Sequence, residues 1–218
     1  MACLYDKNPA MGRSKLVKAR KVQHRPYLTE KQLSEFLEKL DNYKTRGRNL
    51  APLALKLLLL TFVRPGELLN AKWNEFNMER SEWIIPAERM KMKRPHIVPL
   101  STQAIKVFEI LRPLAEKSQF VFPSRHVWKK PVSPAFLKEH LIAMGYIGEN
   151  KFVPHGARAT ASTILNERVD FRPDVIERQL AHVERNKVRA AYHRSEYLAD
   201  RKAMMQWWGD YLDNCRKQ

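Results

Sequence analysis

The sequence predicts an α+β fold, mostly helical with a small antiparallel β-sheet. Three observations carry this: apolar residues recur at helical spacing before position 73 and again after 101, short β-rich segments fall between those limits, and 218 residues suit one medium domain. A chain of this length buries roughly 70% of its unfolded surface on folding, so a true core is available.

Residues 1–26 hold seven Lys/Arg against one Asp, include "GRSKLVKARKVQHRP", and show no apolar period, so they read as an exposed basic linker ending near Pro26. In "YLTEKQLSEFLEKLDNY", Thr29 can cap a helix whose Leu33, Phe36, Leu37 and Leu40 share one buried face. A second helix is expected over about 50–63, ending at "RPG" (64–66), where Pro65 biases Arg64 away from helical geometry. A short helix through Leu68 and Leu69 follows. "SEWIIPA" and "PHIVPLS" then read as strands, joined by the strongly basic "ERMKMKR". From 101 the signals are helical again, with breaks expected at Pro113, at "PSRHVWKKPVSP" (123–134), between Gly145 and Gly148, and at Pro173.

Forty Lys+Arg against 23 Asp+Glu give a formal net charge of +17. That balance favours a polyanionic partner over a neutral metabolite, with nucleic acid ahead of an anionic membrane surface. The most apolar run, "LALKLLLLTFV" (53–63), contains Lys56 and is shorter than the about 20 residues a membrane span needs. No segment reads as a signal peptide, and Cys3 and Cys215 stand at opposite ends with no CxxC or Cys/His cluster, which fits a reducing cytoplasm.

Four clusters combine residue types suited to a phosphodiester. In "VRPGEL", Arg64 sits at a helix break with Glu67 placed to orient it, although taken alone the spacing favours a surface ion pair. The hairpin "ERMKMKRPHIVPL" carries Lys91, Lys93 and Arg94, as solvating charges, phosphate contacts or a catalytic lysine. In "PHGARATASTILNE", Pro154 precedes a helical pattern of Ala157, Ala161, Ile164 and Leu165, putting His155 and Arg158 on one face of a helix start, where phosphate is favoured. A lone HxxR is more often a capping histidine and a surface cation. In "HVERNKVRAAYHR" (182–194), Asn186 can cap a short helix with Val188 and Tyr192 on one side, so Tyr192 reads as core or as nucleophile; Tyr197 offers the same choice.

Taken in chain order, Arg64, Lys91, His155 with Arg158, His182 and Tyr192 resemble the catalytic set of the tyrosine recombinases, the phage integrase family. "RPGELL", "HGARATASTILNE" and "LAHVERNKVRAAYHR" are similar to its three boxes, most of all to those of P4-like prophage and genomic-island integrases. The likeness runs from about Pro26 to Tyr211. Counting back from "VPL", as in the family's hairpin, selects Lys91 over Lys93 and Arg94.

The resemblance implies a DNA breaking-rejoining enzyme fold. It also implies site-specific strand exchange through a 3′-phosphotyrosyl intermediate, for integration or excision of a prophage or island. Tyr192 would be the nucleophile, His155 its proton acceptor or positioner, Arg64 and Arg158 the stabilisers of the non-bridging oxygens, Lys91 the general acid and His182 a hydrogen-bond donor. No metal, ATP or other cofactor is expected. Lys93, Arg94, Arg125, Lys129 and Lys130 are expected to contact the DNA backbone. The implied partners are double-stranded attachment sites, other protomers forming a tetramer in synapsis and accessory DNA-bending proteins. No membrane partner is expected, and the location is cytoplasmic and nucleoid-associated.

The resemblance also implies that 1–26 is a linker from a missing core-binding domain, with "NPA" (8–10) similar to that domain's exit, and 27–218 the catalytic domain with its C-terminal tail. That tail, "YLADRKAMMQWWGDYL", is amphipathic through Leu198, Met205, Trp208 and Leu212, and would dock on a neighbouring protomer or on its own domain. The rival readings are type IB topoisomerase-like relaxation and a DNA-binding fragment without catalysis; a metal nuclease is disfavoured because His155 and His182 lack a nearby cluster of carboxylate ligands and no HExxH or paired-Asp pattern appears.

Overall fold

Local sequence signals set where the elements begin, and one apolar helix sets how they pack. The computed structural model describes residues 26–45, 49–167, 171–182 and 197–216. The basic 1–25 stretch, Asn186, Val188 and Tyr192 lie outside them.

Helix α1 (Glu30–Asn42) opens with a capping box: Gln32 N donates to Thr29 Oγ1 at 3.4 Å, and Thr29 N donates to Gln32 Oε1 at 3.0 Å. Its buried face is Leu33, Phe36, Leu37 and Leu40, as the spacing predicts. Helix α2 (Leu50–Thr61) is buried at nine of twelve positions, which is the pattern of a helix enclosed on all sides. It ends at Thr61, two residues earlier than expected, because Phe62 takes a left-handed conformation with φ 58°. Pro65 then starts α3 (Pro65–Leu69) as its first residue, with Arg64 as the cap.

The sheet has strands β1 (Phe76–Asn77), β2 (Glu82–Ile85) and β3 (His96–Pro99) in that order, all antiparallel. Trp83 pairs with Val98 and Ile85 with His96; these four residues are buried, while Ile84 between them faces out. The two-residue β1 adds a strand that the sequence pattern does not mark. Ser101 caps α4 (Thr102–Leu114). Pro113 does not break this helix; it lies within the last turn, and the helix stops at Ala115.

Three short helices follow: α5 (Phe136–Ala143), α6 (Gly156–Glu167) and α7 (Pro173–Gln179). The last described helix, α8 (Leu198–Cys215), packs on its own domain against α1, α2, α4, α7 and β3. It buries Met204, Met205, Trp208 and Leu212, with Trp208 Nε1 donating to Leu59 O at 2.9 Å. Tyr197 caps it and serves packing: the Arg172 guanidinium lies 5.2 Å over its half-buried ring. The core thus surrounds α2, and its C-terminal end points at the residues described next.

Candidate active site

A helix leaves its last carbonyls without intrahelical partners. At the end of α2 those carbonyls are turned to use by the left-handed Phe62: Thr61 O accepts from Gln179 Nε2 at 3.1 Å, and Phe62 O accepts from Arg158 Nη1. The end of α7 contributes in the same way. Leu180 O accepts from Arg158 Nη2 at 2.6 Å, and Ala181, itself left-handed with φ 48°, turns its carbonyl to Arg64 Nη2 at 3.4 Å. Two guanidiniums, 117 and 22 residues from this turn, therefore converge on consecutive carbonyls.

Each arginine is held from a second side. Glu67, one turn into α3 and buried, accepts Arg64 Nη1 on one oxygen and Arg64 N on the other, both at 2.7 Å. This carboxylate fixes the backbone and the side chain of Arg64 together. Arg158 lies in the first turn of α6 with 4% of its surface exposed, so its orientation is set by burial as well as by its acceptors. His155 is half-buried just before the same helix, and its carbonyl accepts Arg158 N at 3.2 Å.

His182 completes the group. Its Nε2 is 3.3 Å from Arg158 Nη2, and its Nδ1 is 2.8 Å from Glu177 Oε2. A guanidinium can only donate and a carboxylate can only accept, so the proton of the neutral ring sits on Nδ1 and Nε2 accepts. Glu177 and the backbone bond from His182 N to Glu177 O (3.1 Å) hold the ring half in solvent.

Lys91 is exposed at a tight turn closed by Lys93 N to Met90 O at 3.0 Å, with Lys93 left-handed at φ 52° and Arg94 exposed beside it. Lys91 makes no hydrogen bond or ion pair with Arg64, Arg158 or His182. The base of its hairpin is nevertheless stitched to the site, because Arg89 donates to Glu67 O and to the Glu75 carboxylate. Arg125, Lys129 and Lys130 are exposed on a separate loop, closed by Ser124 N to Lys130 O at 2.9 Å and by Ser118 Oγ to Trp128 O at 2.7 Å. Tyr192 lies outside the described residues.

Sequence reasoning missed the residues behind the site. Gln179 is buried, and its carbonyl accepts from His96 Nε2 at 3.2 Å; burial first, then the nearby Arg201, lowers the His96 pKa to about 3, so the ring is neutral. Arg201, fully buried on α8, gives Nε and Nη2 to Gln179 Oε1 at 3.0 and 2.8 Å and reaches Ile97 O. Glu177 carried no signal beyond lying five residues before His182.

The arrangement gives two oriented cations and a histidine around one turn, which suits the charge of a phosphodiester. The phage integrase family profile matches residues 26–198. The chain is 42% identical over 226 aligned residues to the integrase of Enterobacteria phage P4, covering 98% of this chain and 51% of that protein. To prophage integrase IntA of Escherichia coli it is 48% identical over 154 residues, 71% of this chain and 37% of that protein. It thus spans about half, or less, of the length of these relatives. Among solved structures, the Tn1549 transposon integrase in complex with transposon right end DNA aligns with a TM-score of 0.62 at 16% identity, over 89% of this chain and 73% of that one. XerA recombinase aligns with a TM-score of 0.58 at 20% identity, over 81% and 64%. These two likenesses are of fold.

Proposed function

The chain belongs to the phage integrase family, and from that premise we propose that it breaks and rejoins DNA at specific sites, for integration or excision of a prophage or genomic island. The observation that carries the reading is the convergence of Arg64, Arg158 and His182 on the turn at 180–182.

Under this reading Tyr192 attacks a backbone phosphorus; the new bond is Tyr192 O–P, and the bond that breaks is P–O5′. An unperturbed tyrosine has a pKa of about 10, so attack at neutral pH needs an acceptor for its proton, and His155 is the residue we place in that role. The negative charge on the non-bridging oxygens is met by Arg64 and Arg158, already desolvated on one side and pre-oriented by Glu67 and by main-chain carbonyls. His182, with Nδ1–H committed to Glu177, becomes a donor to a phosphate oxygen on taking a second proton at Nε2. Lys91 supplies the proton to the departing O5′. The covalent 3′-phosphotyrosyl bond retains the phosphoryl energy, so the free 5′-hydroxyl of another strand can attack it and release Tyr192.

Lys93 and Arg94 beside Lys91, and Arg125, Lys129 and Lys130 on the second basic loop, are the backbone contacts of this reading. Residues 1–26 act as a basic linker and 27–218 as the catalytic domain with its tail. The partners are double-stranded attachment sites, further protomers joined as a tetramer in synapsis, and DNA-bending accessory proteins.

The test is covalent trapping on nicked, end-labelled duplexes of candidate attachment sites in the presence of EDTA. A protein-linked DNA band that survives denaturation and is absent with Tyr192→Phe is the expected result. DNA binding at low salt with no such band at any site would leave a DNA-binding module and sink the catalytic reading.

A further inference from the structure

Arg201 is a charged side chain with 0% exposure, placed in the first turn of α8 and outside the constellation described above. Burying a guanidinium carries a desolvation cost of several kcal/mol before its hydrogen bonds are counted, so apolar packing alone does not explain its place. Its bonds to described residues include two to Gln179 Oε1 and one to Ile97 O. Gln179 is engaged at both ends of its side chain in turn. Its amide donates to Thr61 O, one residue before the carbonyl that holds Arg158, and its own carbonyl accepts from His96. The next residues, Leu180 and Ala181, carry the carbonyls that receive Arg158 and Arg64, and His182 follows directly.

We propose that Arg201 is a positioning residue: through Gln179 it locks the 179–182 turn in register with the ends of α2 and β3, and so makes the geometry of Arg64, Arg158 and His182 depend on the docking of α8. The inference deepens the strand-breaking reading and rests on it for its catalytic consequence. The second contact of this helix with the sheet, Lys202 Nζ to Glu82 Oε1 at 2.8 Å, is on the outer side and serves docking alone. The effect of Arg201 passes through a side-chain amide whose donor and acceptor ends are both committed, so that a shift of Gln179 displaces the carbonyls one and two residues along the chain.

The test compares Arg201→Met, Arg201→Lys and Leu212→Ala in the whole chain. Leu212 is buried on the same helix, 11 residues further on and so about 16 Å along its axis, and stabilises docking without touching the turn. At a temperature where all variants are folded, Arg201→Met is expected to slow formation of the covalent complex at saturating DNA by at least about tenfold, with DNA affinity within about twofold of the parent. Arg201→Lys, which keeps one donor for Gln179 Oε1, recovers part of that loss. Leu212→Ala leaves the rate unchanged although its melting temperature falls. Equal slowing by Leu212→Ala and Arg201→Met would show a structural role only and overturn the proposal.

A second readout needs no DNA. Ring nitrogen shifts of His182 and the Nε–H signal of Arg158, followed by NMR in the free protein, are expected to move in Arg201→Met and to stay in place in Leu212→Ala. Unmoved signals in Arg201→Met would overturn the proposal whatever the cleavage assay gives. Moved signals in a chain whose parent forms no covalent complex would uphold the positioning and reject the catalytic reading instead.

Discussion

His96 is surrounded by Arg201, Arg178 and Arg158 and donates its Nε2–H to the Gln179 carbonyl. Its pKa, lowered from 6.5 to about 3, means that the unfolded chain takes up a proton which the folded chain refuses. Stability is therefore greatest above about pH 6.5 and is lost as the pH falls toward 3, at up to about 1.4 kcal/mol per pH unit from this group. Melting curves between pH 7.5 and 5 should show a falling midpoint for the parent and a shallower fall for His96→Gln, which retains a donor but does not titrate; parallel curves would refute the assignment. Glu177 gives a second expectation at this scale. Its pair with His182 is about half exposed on both sides, so Glu177→Gln should change stability by less than about 1 kcal/mol. It should nonetheless slow covalent-complex formation several-fold, because a neutral amide holds the His182 ring less firmly; rates on trapped substrates decide. Arg64, Arg158 and His182 were picked out in the sequence because the boxes around them resemble those of a known family. Gln179, His96 and Arg201 were not, since their bonds span 22 to 118 residues and a polar "ADRK" at the start of an amphipathic helix reads as solvent-facing.

Arg64 and Arg158 stand at helix starts, so substitutions there test more than stability. A Cβ on Gly156, the first residue of α6, would lie 2.6 Å from the Pro26 carbonyl and 2.5 Å from the buried Phe152 ring. Main chain and a packed aromatic cannot both yield, and Gly156→Ala should cost about 1–3 kcal/mol in urea unfolding while displacing His155 and Arg158 enough to weaken cleavage further than the stability loss accounts for. Thr29→Ala, at the cap of α1, removes a capping box far from those residues and should cost about 1 kcal/mol with cleavage unchanged. The sequence exposed the Thr29 cap because Thr-x-x-Gln before an apolar run is a local signal. It hid the end of α2, because a left-handed phenylalanine has no compositional mark, and it hid β1, because two residues show no alternation.

The charge of the whole molecule dominates its expected encounter with DNA. With a formal net charge of +17, affinity should fall steeply with salt, by about 10³-fold or more between 50 and 200 mM if six or more phosphates are neutralised. Replacing Lys129 and Lys130 by alanine should lower the slope of log affinity against log salt by about two, and titrations at several ionic strengths would reveal an unchanged slope if that loop faces away from DNA. The partner of the amphipathic tail could not be read from sequence, because an apolar face names its chemistry but not its address; in the structure it lies on its own chain. Its far end is sewn to the first helix, with Ser34 Oγ donating to the Cys215 carbonyl at 2.7 Å, Tyr211 to Glu30 at 2.8 Å and Arg216 to Asp41. Such closure joins residues up to 181 positions apart, and it has a consequence during synthesis. Helix α8 leaves the ribosome after every other described element, so one side of α2 stays uncovered until residues 198–215 have emerged. A nascent chain therefore keeps an apolar face of α2 open to aggregation until α8 docks over it.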